Sequence, residues 1–152
     1  MLINWDTPVD SPVIKEVFDL PFIARIVVGR YWSTFSDDEK SKFLESFSRL
    51  SIATYADNFD GYSGERFKTV STKKLNRDRI MVRSLLIKAD GEEIELDYIF
   101  HERDKEWRVI NVIAQGVSDL SLKRSDYTTF IKKNGVESLL DKLNEKISSY
   151  SK

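Results

Sequence analysis

Hydrophobic positions along this chain follow two periods, helical at both ends and alternating in the middle. From Val13 to about Tyr31, the apolar residues Val13, Ile14, Val17, Phe18, Phe22, Ile26 and Val27 recur mainly at helical spacing. Pro21 has no amide to donate within a continuing helix, so a new helix is predicted to start after Asp19-Leu20. Gly29 predicts its end or a kink, and Pro8 and Pro12 mark an irregular lead-in. Ser36-Asp37-Asp38-Glu39 predicts a second start, with Ser36 as N-cap and Glu39 at the capping-box position. The stripe of Phe43, Leu44, Phe47, Leu50, Ile52, Tyr55 and Phe59 runs until Asp60-Gly61-Tyr62-Ser63-Gly64 breaks it.

From Glu65 the period moves toward two. Four strands are predicted: Arg66 to Leu75, Arg79 to Ala89, Glu93 to Phe100 and Trp107 to Gln115. Asp90-Gly91 is a strong hairpin turn, because glycine tolerates the positive φ required. A two-residue turn there pairs Ile87 with Ile94, Leu85 with Leu96, Arg83 with Tyr98 and Met81 with Phe100 on an apolar face. Lys88 and Glu93, Leu86 and Glu95, and Ser84 and Asp97 then share the polar face. An even loop at Asp104-Lys105 adds Val109, Asn111 and Ile113 to the apolar face; an odd one selects Ile110 and Val112. After Gly116 the chain returns to helix, in a piece from Ser125 to Lys133 that ends at Asn134-Gly135 and a second from Val136 to Ile147.

The predicted class is α+β: a four-stranded antiparallel meander covered on one face by N- and C-terminal helices. At 152 residues this is one domain, helical over 13–59, sheet over 65–115 and helical over 118–148. Charge narrows the function classes. Twenty-four basic against 25 acidic side chains, a net charge of −1, argue against a broad nucleic-acid surface. The absence of cysteine removes disulfides and thiolate chemistry, and His101, the only histidine, leaves no imidazole cluster for zinc. No run approaches the ~20 apolar residues that span a bilayer, and Met-Leu-Ile-Asn-Trp-Asp is not read as a signal peptide. Aromatics reach 12%, which suits either a large core or the wall of an apolar cavity.

Four stretches carry a family resemblance. They are Phe18-Asp19-Leu20-Pro21-Phe22-Ile23-Ala24-Arg25 with Gly29 and Trp32; Phe59-Asp60-Gly61-Tyr62-Ser63-Gly64-Glu65; Trp107-Arg108-Val109-Ile110-Asn111-Val112; and Gly116-Val117-Ser118 followed by Arg124 and Gly135. In order and spacing this series resembles the MlaC/HpnM family of periplasmic lipid-binding proteins, also called toluene-tolerance auxiliary proteins. The Asp-Gly-Tyr-Ser-Gly-Glu and Arg-Ser-Asp-Tyr pieces lean toward the hopanoid-associated HpnM branch. The resemblance implies a cystatin-like or nuclear-transport-factor-like fold with lipid tails held in a slot between helices and sheet. It implies a periplasmic shuttle for phospholipid or a hopanoid-type lipid, working with membrane-bound, ABC-transporter-linked complexes that maintain outer-membrane lipid asymmetry. It also implies that the chain starts within the family's mature region, without the signal peptide or a first helical stretch. Asn111 and Gln115 stand where relatives usually carry acids, which leaves any docking role of those acids unsupported here.

A two-tailed lipid exposes on the order of 30 methylenes, worth roughly 24 kcal/mol in water, so a carrier needs a deep apolar slot rather than reactive groups. The candidate walls are Phe22, Ile26, Phe43, Phe47, Tyr55 and Phe59 from the helices, with Met81, Leu85, Leu96, Tyr98 and Val109 from the sheet. Each also fits a plain core position. Arg83, beside Tyr98 in the predicted register, reads as a phosphate ligand at the slot mouth or as the partner of an acid such as Asp97 in a neighbouring register. Lys73-Lys74 with Arg77 and Arg79 read as a solvated loop or a contact for anionic membrane, and Tyr62 as an edge of the opening. Glu93, Glu95 and Asp97 fall on a polar face, and Gly61 and Gly64 miss the phosphate-loop spacing. No catalytic residue, metal or cofactor is assigned. Two other classes stay open: a small enzyme with Tyr98, Arg83 and Asn111 as pocket groups, and a ligand-free interaction module.

Overall fold

The computed structural model of the chain describes residues 15–59, 65–76 and 78–150. Val13, Ile14, Pro8, Pro12, Tyr62, Arg77 and the break at 60–64 lie outside the described residues. The chain is α+β and divides into two compact units, Met1–Asp19 with Phe59–Asp119 and Leu20–Asn58 with Leu120–Lys152.

The second unit is helical. Helix α1 is Leu20–Val28, a 3-10 turn covers Gly29–Thr34, α2 is Asp37–Phe59 and α3 is Asp119–Tyr150. Gly29 ends α1 at φ +55, where a side chain would strain the backbone. The capping box forms as predicted: the Glu39 amide donates to Ser36 Oγ (3.1 Å) and the Ser36 amide to Glu39 Oε1 (2.8 Å). Gly135, at φ 83 and ψ 171, breaks α3 at the predicted point, but the helix begins at Asp119, well before Ser125. Leu20, Ala24, Val27 and Val28 form the buried stripe of α1. The unit's core joins Ala24, Val27 and Val28 with Phe35, Phe43, Phe47, Leu50, Ile131, Leu139, Leu140 and Leu143. Phe43 and Phe47 each meet the Tyr127 ring edge-on, at 6.2 and 6.1 Å between centroids.

The first unit holds an antiparallel sheet in simple order β1-β2-β3-β4-β5. Its strands are β1 Arg66–Asn76, β2 Arg79–Ile87, β3 Glu93–Arg103, β4 Glu106–Ala114 and β5 Val117–Ser118. The fifth strand corrects the four-stranded prediction: two residues after the Gln115-Gly116 turn pair with Ile113 and Ala114, too few to show a period in sequence. Phe18 bridges Val109 in parallel, and the Asp19 amide donates to the Val109 carbonyl (3.0 Å). The lead-in to α1 is thereby tied to β4.

The β2–β3 register differs from the predicted one by one residue. Observed partners are Leu86 with Ile94, Ser84 with Leu96, Val82 with Tyr98 and Ile80 with Phe100; Leu85 faces Glu95, Arg83 faces Asp97 and Met81 faces Ile99. The loop is Lys88–Glu92 rather than a two-residue turn. The Lys88 amide donates to the Glu92 carbonyl (2.8 Å), the Gly91 amide to the Lys88 carbonyl (2.9 Å) and the Glu92 amide to Asp90 Oδ1 (2.8 Å). A one-residue slip moves every side chain to the other face. The Asp104-Lys105 turn does have two residues, both at positive φ. A bulge at Ile110, between the Ile99–Asn111 and Phe100–Val109 pairs, then turns Val109 to one face and Asn111 and Ile113 to the other.

Candidate functional site

The register sorts the sheet into two chemically distinct faces. One carries Ile80, Val82, Leu86, Ile94, Leu96, Tyr98, Phe100, Val109 and Val112, with Ser84 as its polar member on β2. Ser84 Oγ donates to the Leu96 carbonyl (2.9 Å), so its polar atom is satisfied. Val109, Phe100 and Tyr98 are buried, while Ile80, Val82, Leu86, Ile94, Leu96 and Val112 are half-buried. Burial pushes the Tyr98 hydroxyl far above its ordinary pKa, so it stays neutral. The opposite face mixes Met81, Leu85, Ile87, Ile99 and Ile113 with Arg83, Glu93, Glu95, Asp97, Asn111 and His101.

The predicted sheet walls are therefore divided. Leu96, Tyr98 and Val109 share the apolar face, whereas Met81 and Leu85 stand on the mixed one, because the five-residue loop shifts β2 by one. The same shift brings Ile80, Val82 and Leu86 to the apolar face, and the bulge at Ile110 leaves Val112 there with Val109; of these five residues, only Val109 was among the predicted walls. A signal was present: the two-residue turn put Arg83 alone among apolar partners, and sliding by one pairs it with an acid.

Arg83 is not beside Tyr98. Its Nε and Nη2 donate to Asp97 Oδ1 (3.1 Å) and Oδ2 (3.2 Å), and Nε lies 3.0 Å from Glu95 Oε1. The hydrogen bonds and charge of Asp97, then the charge of Glu95, hold the guanidinium above its ordinary pKa. The Asp97 reading of Arg83 is the one the geometry matches; its carboxylate partners lie on the face opposite Tyr98.

Of the helix-borne candidates, Phe43 and Phe47 sit in the closed core of their unit at 0% and 2% exposure. Phe22 and Ile26 are half-buried and line a cleft of about 340 Å³ with Arg25, Gly29, Trp32 and Arg124. Tyr55 is half-buried on α2; Phe59 ends that helix, with its side chain outside the described residues.

A second buried polar cluster went unread in the sequence. Asp19, fully buried, lies 2.8 Å from His101 Nε2 and 3.2 Å from Arg103 Nη2. Its members are 82 positions apart, so no local motif announces it. Beside it, Arg108 Nη1 donates to the Lys15 carbonyl (3.1 Å), a further tie between the lead-in and β4. This cluster anchors the lead-in segment to β3.

An α+β protein whose meander sheet offers one apolar, partly accessible face is the class these features define. The MlaC protein family model matches residues 10–145, and the chain belongs to that family. It is 27% identical over 134 residues to the intermembrane phospholipid transport system binding protein MlaC of Haemophilus influenzae, covering 86% of this chain. The chain spans 63% of that relative's length. Its fold matches that of a phospholipid-binding protein from Ralstonia solanacearum, solved with a phospholipid bound, at a TM-score of 0.80 and 23% identity over 91% of this chain and 78% of the other. Among the described residues, no helix is long and apolar enough to cross a membrane.

Proposed function

We propose that this chain binds a phospholipid by its acyl tails and carries it between membranes, without catalysing a reaction. One observation carries the reading. Six aliphatic side chains of the apolar sheet face, Ile80, Val82, Leu86, Ile94, Leu96 and Val112, remain half-buried, while the helical core beside α2 is closed around Phe43, Phe47, Leu139 and Leu143. Half-buried aliphatic surface is where further apolar contact yields about 25 cal/mol per Å² removed from water. Family membership and the phospholipid-related functions of the two relatives support the cargo class. The tail-binding group is Leu96, Tyr98 and Val109 with Val82, Ile80 and Val112, all on the apolar face of the sheet. In this reading the chain works in the periplasm as the soluble component of an ABC-transporter-linked system, handing lipid to membrane-bound complexes. A hopanoid-type cargo is the variant of the same role.

The test is transfer of a fluorescent phospholipid from donor to acceptor vesicles. The chain should accelerate transfer in proportion to its concentration, and Leu96→Gln should abolish most of that acceleration while leaving the fold intact. Transfer no faster than in buffer, by a chain shown to be folded, overturns the proposal.

A further inference from the structure

Two clefts on the helical unit meet at one residue. The first is lined by Phe22, Arg25, Ile26, Gly29, Trp32 and Arg124; the second, about 250 Å³, by Arg30, Tyr31, Arg124, Thr128, Thr129 and Lys132. Arg124 belongs to both. Its guanidinium lies over Gly29, where an added Cβ would come within 3.3 Å of Nε. Glycine at φ +55 thus leaves room for the Arg124 guanidinium where the clefts meet.

The charge of this surface is one-sided. Arg25, Arg30, Arg124 and Lys132 are all exposed, no acidic residue lines either cleft, and none of the four makes an ion pair among the described residues. Arg83, Arg103 and Arg108, by contrast, each have a carboxylate. The whole chain carries a net charge of −1, so an unneutralised group of four cations is a local arrangement, not a consequence of composition. Aromatic side chains sit among them. Arg25 lies 5.9 Å over the Trp32 ring and Arg30 5.1 Å over that of Tyr31.

We propose that this surface docks on an anionic lipid bilayer. Cations beside half-buried Phe22, Ile26 and Trp32 match a bilayer surface, where phosphates adjoin acyl carbon, and Trp and Tyr favour that boundary. The inference is independent of tail binding by the sheet: it concerns where the protein rests, not what it carries.

The experiment is flotation of the full chain with vesicles of phosphatidylcholine alone or phosphatidylcholine with phosphatidylglycerol. Binding is expected only with the anionic vesicles, and it should fall steeply as added salt shortens the screening length. Each cation near such a surface is worth roughly fivefold in partitioning. Arg30→Glu with Lys132→Glu changes the charge by four and should weaken binding by on the order of several hundredfold; Arg30→Gln with Lys132→Gln should weaken it by about 25-fold. Circular dichroism checks that both variants are folded. The control, Lys73→Glu with Lys74→Glu on exposed β1, should lose far less. No binding to anionic vesicles, equal loss in the control, or cleft variants that bind like the parent would each overturn the proposal. Copurifying lipid should be unchanged in the cleft variants, so a failure of docking and a failure of tail binding are read separately.

Discussion

The two units differ in how far they close over their aromatic and aliphatic residues. In the helical unit, Phe43 and Phe47 are sealed between α2 and α3 with Tyr127 against their ring faces. In the sheet unit, the apolar face buries Tyr98, Phe100, Val109 and Ser84, and the aliphatic residues around them stay partly accessible. The residue types alone are alike; what differs is closure. A closed core stabilises the fold, and an unclosed apolar face is available for a ligand.

That contrast breaks most visibly at Phe47. Phe47→Ala should destabilise the chain by about 3–5 kcal/mol, read by urea or thermal unfolding, because the aromatic cluster cannot collapse fully onto the space left. If stability hardly changes, the helical core is not closed as described. His101→Phe comes next: it removes one partner from fully buried Asp19 and should cost about 2–3 kcal/mol, softened by the remaining Arg103 contact. Hydrogen exchange should then speed up at the Asp19 amide, which donates to Val109. Leu96→Gln sharpens the comparison from the other side. At a half-buried position it should cost only about 1 kcal/mol, yet it should remove most bound lipid. A large loss of stability with lipid retained would reverse the assignments of the two regions. Arg83→Ala should do least to lipid binding: the melting temperature should fall slightly, because buried Asp97 loses a partner that is itself exposed, and lipid selectivity should match the parent.

Much of this fold was legible from local chemistry. Ser36 and Glu39 announced a capping box, and Gly29 and Gly135 the breaks at positive φ. The site was less legible, because its faces depend on parity. Asp90-Gly91 suited a two-residue turn as well as a place inside a five-residue loop, and the difference moved Met81 and Leu85 off the face that holds Leu96 and Tyr98. The bulge at Ile110 changed parity again within β4, leaving Val109 on that face and taking Asn111 and Ile113 away from it. Phe43 and Phe47 had the right composition for a slot wall, but sequence carries no measure of closure. The Asp19–His101–Arg103 cluster joins segments far apart in the chain, and its members look like ordinary surface residues until the fold brings them together.

The most direct measurement is native mass spectrometry of freshly purified protein, with organic extraction and identification of anything bound. The account predicts a near-stoichiometric phospholipid or hopanoid-type adduct on the parent chain, retained in Arg83→Ala and largely missing from Leu96→Gln. A parent chain that stays empty after incubation with phospholipid vesicles, or a Leu96→Gln variant as fully loaded as the parent, would contradict it.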